Sequence, residues 1–137
     1  VATSSFDKTF VINHPLEPKD RYLVHACLEG PEVGVYYRGS GTIKAGDTET
    51  LIELPNYVSK LATNFTVSIT SIGRPKLFGC SHVIDNKFTV YCDKQYDTDS
   101  EFFWLVHGER NKLITEPLKT DYTLKNIGPY TWLESDK

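Results

Sequence analysis

The sequence predicts an all-β protein: an antiparallel β-sandwich or flattened barrel of about 8–10 short strands with one short helix. Three observations carry this expectation. Apolar residues alternate with polar ones at a period of two along several short runs. Turn signals rich in Gly, Pro, Asn and Asp recur at roughly 8–12-residue intervals. One segment only, residues 56–62, has helical spacing.

Residues 22–39 are expected to form a central hairpin. Leu23, His25 and Cys27 alternate with Val24, Ala26 and Leu28, Gly30-Pro31 turns the chain, and Val33, Val35 and Tyr37 resume the pattern. Gly39 and Gly41 suggest a bulge or bend in the second arm.

The other elements follow in order. Residues 1–7 form a flexible lead-in, and residues 8–12 a first strand that ends at Asn13-His14-Pro15. Residues 48–54 place Thr50, Ile52 and Leu54 on one side, and Pro55 stops them. The helix over 56–62 takes Asn56 as its cap and plugs one end of the sandwich. Residues 65–72 set Phe65, Val67 and Ile69 against Thr66, Ser68 and Thr70. A less regular strand spans 77–84, and Asp85-Asn86-Lys87 turns into a strand at 88–92. Residues 93–100 read as the most mobile loop. Residues 101–107, EFFWLVH, read as a central strand covered on both faces. Short strands are expected at 113–118 and 122–124. The sandwich domain is thus assigned to residues 8–127, with a C-terminal extension at 128–137.

The bulk numbers narrow the function. A chain of 137 residues with 39% hydrophobic residues suffices for one domain with its own core. The net charge is −3 and the basic residues are scattered, which argues against nucleic acid. No stretch is long and apolar enough to span a membrane as a helix. No signal peptide opens the chain, so the Asn64-Phe65-Thr66 sequon is expected to be unused. The chain begins at Val1 and holds no methionine, from which a processed product or excised fragment is expected.

Tyr outnumbers Trp by eight to two, a bias suited to half-buried rings with wet hydroxyls. Tyr36 and Tyr37 are assigned to a subunit interface. Tyr96 and Trp132 are candidates for stacking on a sugar, within a wider aromatic set that includes Tyr57, Tyr91 and Tyr130. Glu29, Glu32, Arg38, Glu109 and Arg110 flank the most apolar strands. They read as a structural charge network that fixes strand register, with a polar ligand site as the other reading.

The cysteines, Cys27, Cys80 and Cys92, are odd in number and make no disulfide framework, so buried, reduced thiols are expected. His25 with Cys27, and Cys80 with His82, each have strand spacing. They would form a zinc site only if their strands were neighbours, and the spacing matches no zinc module, so no metal is assigned. No nucleophile elbow or protease-type cysteine context is present, and no catalytic residue or cofactor is assigned. A glycan-cleaving enzyme would need two carboxylates facing each other at roughly 5–10 Å.

Several blocks in order carry a resemblance: Phe10-Val11-Ile12 with His14-Pro15, Leu28-Glu29-Gly30-Pro31-Glu32, Val35-Tyr36-Tyr37-Arg38-Gly39, Glu53-Leu54-Pro55, and Val106-His107-Gly108-Glu109-Arg110. Together they resemble a β-rich domain of virion structural proteins. Such domains occur in phage tail-fibre-type proteins and in proteins of large DNA viruses, near an intramolecular-chaperone autoprocessing domain. The resemblance spans residues 8–132. It implies a non-enzymatic, rigid oligomerising module of a fibre or virion-surface protein, assembled in the host cytoplasm and exposed on the particle. The implied partners are two further copies in a homotrimer and other virion proteins. A receptor- or carbohydrate-binding module reading host surface glycans is the alternative.

Overall fold

The computed structural model describes residues 9–126 and 131–136; the expected lead-in at 1–7 lies outside the described residues. It is an all-β, sandwich-like fold with one short helix. The order is β1 (Thr9–Asn13), β2 (Tyr22–Ala26), β3 (Val33–Ile43), β4 (Glu49–Glu53), α1 (Val58–Leu61), β5 (Thr63–Ser71), β6 (Phe78–Cys80), β7 (Lys87–Cys92), β8 (Ser100–Asn111), β9 (Tyr122–Lys125) and β10 (Trp132–Ser135). Two three-stranded antiparallel sheets, β3-β8-β5 and β4-β7-β6, pack their apolar faces together. Two hairpins, β1-β2 and β9-β10, complete the described chain. The expected division at residue 127 falls between β9 and β10, which pair, so Trp132–Ser135 goes with Tyr122–Lys125.

The core follows from alternation. Phe65, Val67 and Ile69 of β5 face inward as expected, as do Ile52 of β4 and Phe88 and Val90 of β7. Phe102 and Val106 of β8 are fully buried between them. Aromatic rings bridge the sheets: Phe88 meets Trp104 edge-on at 5.6 Å, and Phe78 meets Phe102 at 5.5 Å.

The central hairpin expected over residues 22–39 does not form. β2 pairs with β1, and β3 pairs with β8 along its whole length. β3 has 11 residues and β8 has 12, whereas β2 and its partner β1 have five each.

β8 is central, as expected, but is covered on one face only. Ser100, Phe102, Val106 and Gly108 are buried, while Glu101 and Phe103 on the other face are exposed. An apolar run such as EFFWLVH conceals its own alternation, because both faces carry large residues.

Gly39 and Gly41 mark no bulge. The β3–β8 register runs unbroken through them, and the shift lies at Val33/Gly34. These glycines instead make room for rings. A Cβ on Gly39 would lie 2.8 Å from Trp104, and one on Gly41 would lie 2.5 Å from Phe102 and 2.9 Å from Ile52. Each glycine stands directly across the ladder from the ring it accommodates. Gly108 does the same for Phe65, at 2.7 Å.

The helix is shorter than expected, and its cap comes from elsewhere. Tyr57 holds the N-cap position without a side-chain hydrogen bond. Asn86, in the β6–β7 connection, supplies the missing acceptor: its Oδ1 accepts from the Ser59 N–H at 2.6 Å, and its Nδ2 donates to the Asn56 carbonyl at 3.2 Å. Asp85 and Asn86 both have positive φ, 54° and 64°. That is the mirror-image turn that short Asn-containing hairpins favour.

Two further expectations are corrected. Residues 113–118 are not a strand; Leu113, Ile114 and Leu118 are exposed, and Pro117 withholds a ladder donor. The loop at 93–100 is tied down. Gly46 N–H donates to the Tyr96 carbonyl and Ala45 N–H to Asp99 Oδ1, both at 2.9 Å, and Lys76 Nζ donates to Ser100 Oγ at 2.9 Å.

Gly41→Ala is expected to lower unfolding free energy by about 1–3 kcal/mol through overpacking, while Gly79→Ala, whose added Cβ meets nothing, stays near wild type. Urea titration of the two variants checks the contrast. Asn86→Ala is expected to cost about 1–3 kcal/mol, and Asn86→Gly a smaller but measurable part, because glycine restores the turn but not the helix clamp.

Candidate functional site

A cleft of about 590 Å³ opens between β2 and β3. Its walls bring together Phe10 of β1, His25 to Leu28, Glu32 and the start of β3 from Val33 to Arg38, Pro55 and Tyr57 beside α1, and Arg110 of β8. The loop over residues 27–32 opens this gap, since it lets β2 leave the β3 sheet and join β1.

His25 is the centre of the cleft floor. Its Nε2 lies 3.3 Å from the hydroxyls of both Tyr37 and Tyr57. Its ring meets Phe10 edge-on at 5.0 Å and Tyr37 at 5.9 Å. His14, at the end of β1, backs Tyr57 edge-on at 5.4 Å, and its own Nδ1 accepts from the N–H groups of Leu16 and Glu17. The His25 Nδ1 is buried and has no hydrogen-bond partner among the described residues. Protonation would put an N–H there with nothing to receive it, so the neutral ring is favoured. Burial, and then the positive charge of Arg110, hold the His25 pKa below its ordinary value of 6.5. Burial, and then the Tyr57 hydroxyl, push the Tyr37 hydroxyl upward.

The residues singled out from the sequence divide between this cleft and other places. Tyr36 and Tyr37 are neighbours on β3 and so point to opposite faces. Tyr37 is half-buried in the His25 cluster, while Tyr36 is 45% exposed on the outer face, where its ring lies 6.3 Å from His107. The two rings therefore do not share one face of β3.

The charged residues separate too. Arg38, Glu32 and Arg110 line the cleft, and Arg110 lies over the Phe10 ring at 4.2 Å. Glu109 faces away, pairing with Lys112 at 2.9 Å and accepting from Asn64 at 3.4 Å. Lys112 and then Asn64 hold its carboxyl below the usual range. Glu29 sits exposed in the β2–β3 loop. These contacts do not join Arg110 and Glu109 in one register-fixing network; the two are sequence neighbours that point to opposite sides of β8.

Tyr96 and Trp132 lie on separate elements. The Tyr96 hydroxyl donates to Asp93 Oδ1 at 2.6 Å, which pushes its pKa up to about 12, and Lys76 Nζ sits 4.4 Å from the ring centre. Trp132 is 51% exposed on β10 and donates from Nε1 to Glu134 at 3.2 Å. Tyr130 lies outside the described residues.

The cysteines are not the buried thiols expected. Cys27 and Cys80 are exposed and Cys92 is half-buried; none is bonded to another. β2 and β6 belong to different sheets, so the two His/Cys pairs do not converge. Among the described residues no cluster of His, Cys, Asp and Glu is arranged to hold a metal. No described helix is long and apolar enough to cross a membrane.

The sequence pointed to His25 only as half of a metal pair. Its partners Phe10, Tyr37 and Tyr57 come from three distant segments, and no local pattern joins them.

The lowered His25 pKa gives a pH dependence with a definite sign. Below pH 6.5 the unfolded chain binds a proton that the folded chain resists, so this contribution is complete above 6.5 and is lost as pH falls below it. Urea midpoints measured across that range are expected to fall on acidification in the wild type. The His25→Gln variant is expected to lack that part of the slope; equal slopes would contradict the assignment.

No protein-family model, no curated protein and no solved structure matches this chain.

Proposed function

We propose that this chain is a non-enzymatic structural domain of a virus particle, a rigid module that joins copies of itself, as a homotrimer, in a fibre or virion-surface protein. The observation that carries the assembly reading is the outer face of the β3-β8-β5 sheet. Register places Tyr36 beside His107, Arg38 beside Leu105, and Ser40 beside Phe103, with Thr66, Ser68 and Thr70 of β5 completing the rows. Phe103 is 55% exposed there. An aromatic and aliphatic stripe edged by hydroxyls and an arginine has the composition of a subunit interface. The resemblance of the sequence blocks to virion proteins supplies the setting, with other virion proteins as further partners and the particle surface as the location. The non-enzymatic reading is supported by the His25 imidazole, whose Nε2 is engaged by two phenols rather than by a nucleophilic hydroxyl or thiol.

A second reading, a module that binds host glycans, is favoured by exposed rings held beside carboxylates: Trp132 with Glu134 and Tyr96 with Asp93. Rings and acceptors in that arrangement suit the faces and hydroxyls of a pyranose.

Light scattering at several concentrations is expected to give a trimer mass. Phe103→Lys is expected to shift the chain to monomer while keeping a single cooperative thermal unfolding transition. A wild-type monomer at every concentration contradicts the assembly reading. Saturable binding on a glycan array that Trp132→Ala abolishes would favour the second reading.

A further inference from the structure

The cleft wall formed by β3 has an unusual makeup. Seven consecutive residues, 32–38, all line it. Successive side chains of a strand point to opposite faces, so one face of β3 cannot present all seven. Only the edge of the strand can. Among the described residues β3 has β8 as its sole ladder partner, so the backbone N–H and C=O groups of its other edge have no strand partner there. Ala26, the last residue of β2, and Cys27 and Leu28 beyond it also line the cleft, and β2 pairs with β1. The cleft therefore runs along the edge of β3 that has no strand partner among the described residues.

We infer that this cleft binds an extended peptide segment from a partner protein, which adds as a strand to the free edge of β3. The side chains around the gap set the peptide's chemistry. On the inner side, Phe10, His25, Tyr37 and Tyr57 form an aromatic floor that accepts an apolar or aromatic anchor. On the outer side Arg38 is exposed, while Arg110 lies over the Phe10 ring on the inner side. The Arg38 guanidinium favours an acidic residue in the outward-facing position beside it. The segment is thus alternating: apolar side chains inward, with an acidic side chain outward beside Arg38. The volume of about 590 Å³ lies within the range of roughly 300–1,000 Å³ usual for binding clefts. Recognition by strand addition draws affinity from backbone hydrogen bonds and selectivity from alternate side-chain pockets. This inference does not depend on the virion setting or on the outer sheet face.

The test uses the full chain and a blocked, fluorescent heptapeptide, Ser-Val-Glu-Phe-Glu-Val-Ser, followed by anisotropy and by amide exchange. Saturable binding is expected, with slowed exchange of amides within residues 32–38. Peptides N-methylated at Val, Phe and Val, or at the two Glu residues, present opposite backbone edges. One series is expected to weaken binding about tenfold or more while the other changes it by about twofold or less. Arg38→Glu is expected to reverse the preference in favour of Ser-Val-Lys-Phe-Lys-Val-Ser. Equal loss from both methylated series, or no slowing at residues 32–38, overturns strand addition. Failure of the peptide together with N-acetylneuraminic acid shifting the His25 resonances makes this a small-acid site and overturns the inference. The oligomeric mass is read separately, so neither outcome here decides the assembly proposal.

Discussion

The rung where Gly41 faces Phe102 is the constraint on which the rest of the structure depends. No side chain fits on β3 at that point, because the Phe102 ring and Ile52 of the opposing sheet already occupy the space. Gly39 and Trp104 repeat the arrangement two residues along, and Gly108 with Phe65 repeats it on the other side of β8. Glycine weakens a strand by itself, through backbone entropy and lost packing. Here the neighbouring ring supplies the missing packing, and large rings reach the sheet-to-sheet seam without displacing the backbone. Burying a ring such as Phe102 or Phe88 contributes about 1.5–3 kcal/mol, more than the roughly 1 kcal/mol that a glycine costs.

This interlock makes β8 the spine of the molecule and gives it two different faces. Its inner face is filled, and its partners β3 and β5 are pinned by the rings it carries. Its outer face keeps an apolar stripe that the core does not use. The same arrangement commits β3 to β8 on one edge and leaves the other edge to the cleft. The proposed assembly face and the proposed peptide edge thus share one origin: a long strand paired fully on one side, within a sheet packed on one side.

Much of the architecture was legible in the sequence. β4, β5 and β7 alternate cleanly because one face of each meets the core and the other meets water. The Asp85-Asn86 turn follows from residue types that tolerate positive φ. The pairing of β2 was not legible, since adjacency along the chain favours a local hairpin and no local pattern marks β1 as its partner. The one-sided burial of β8 was hidden by large residues on both faces. Cys27 and Cys80 look like core residues by type, but each sits where its strand ends and the chain runs on the surface. Of the candidate site, the charged rim of Glu32, Arg38 and Arg110 was visible as strand-end charges. The His25 cluster was not, because its members meet only after β1, β2, β3 and the α1 segment have come together.

The most direct test of this account is native-state hydrogen exchange read residue by residue. Amides of β8 from Phe102 to Gly108 should exchange only through global unfolding and share one opening free energy, while those of the β1-β2 and β9-β10 hairpins open locally and exchange faster. Exchange of the β8 amides by local opening, as fast as in either hairpin, would contradict the claim that the glycine-accommodated rings of this strand hold the fold together.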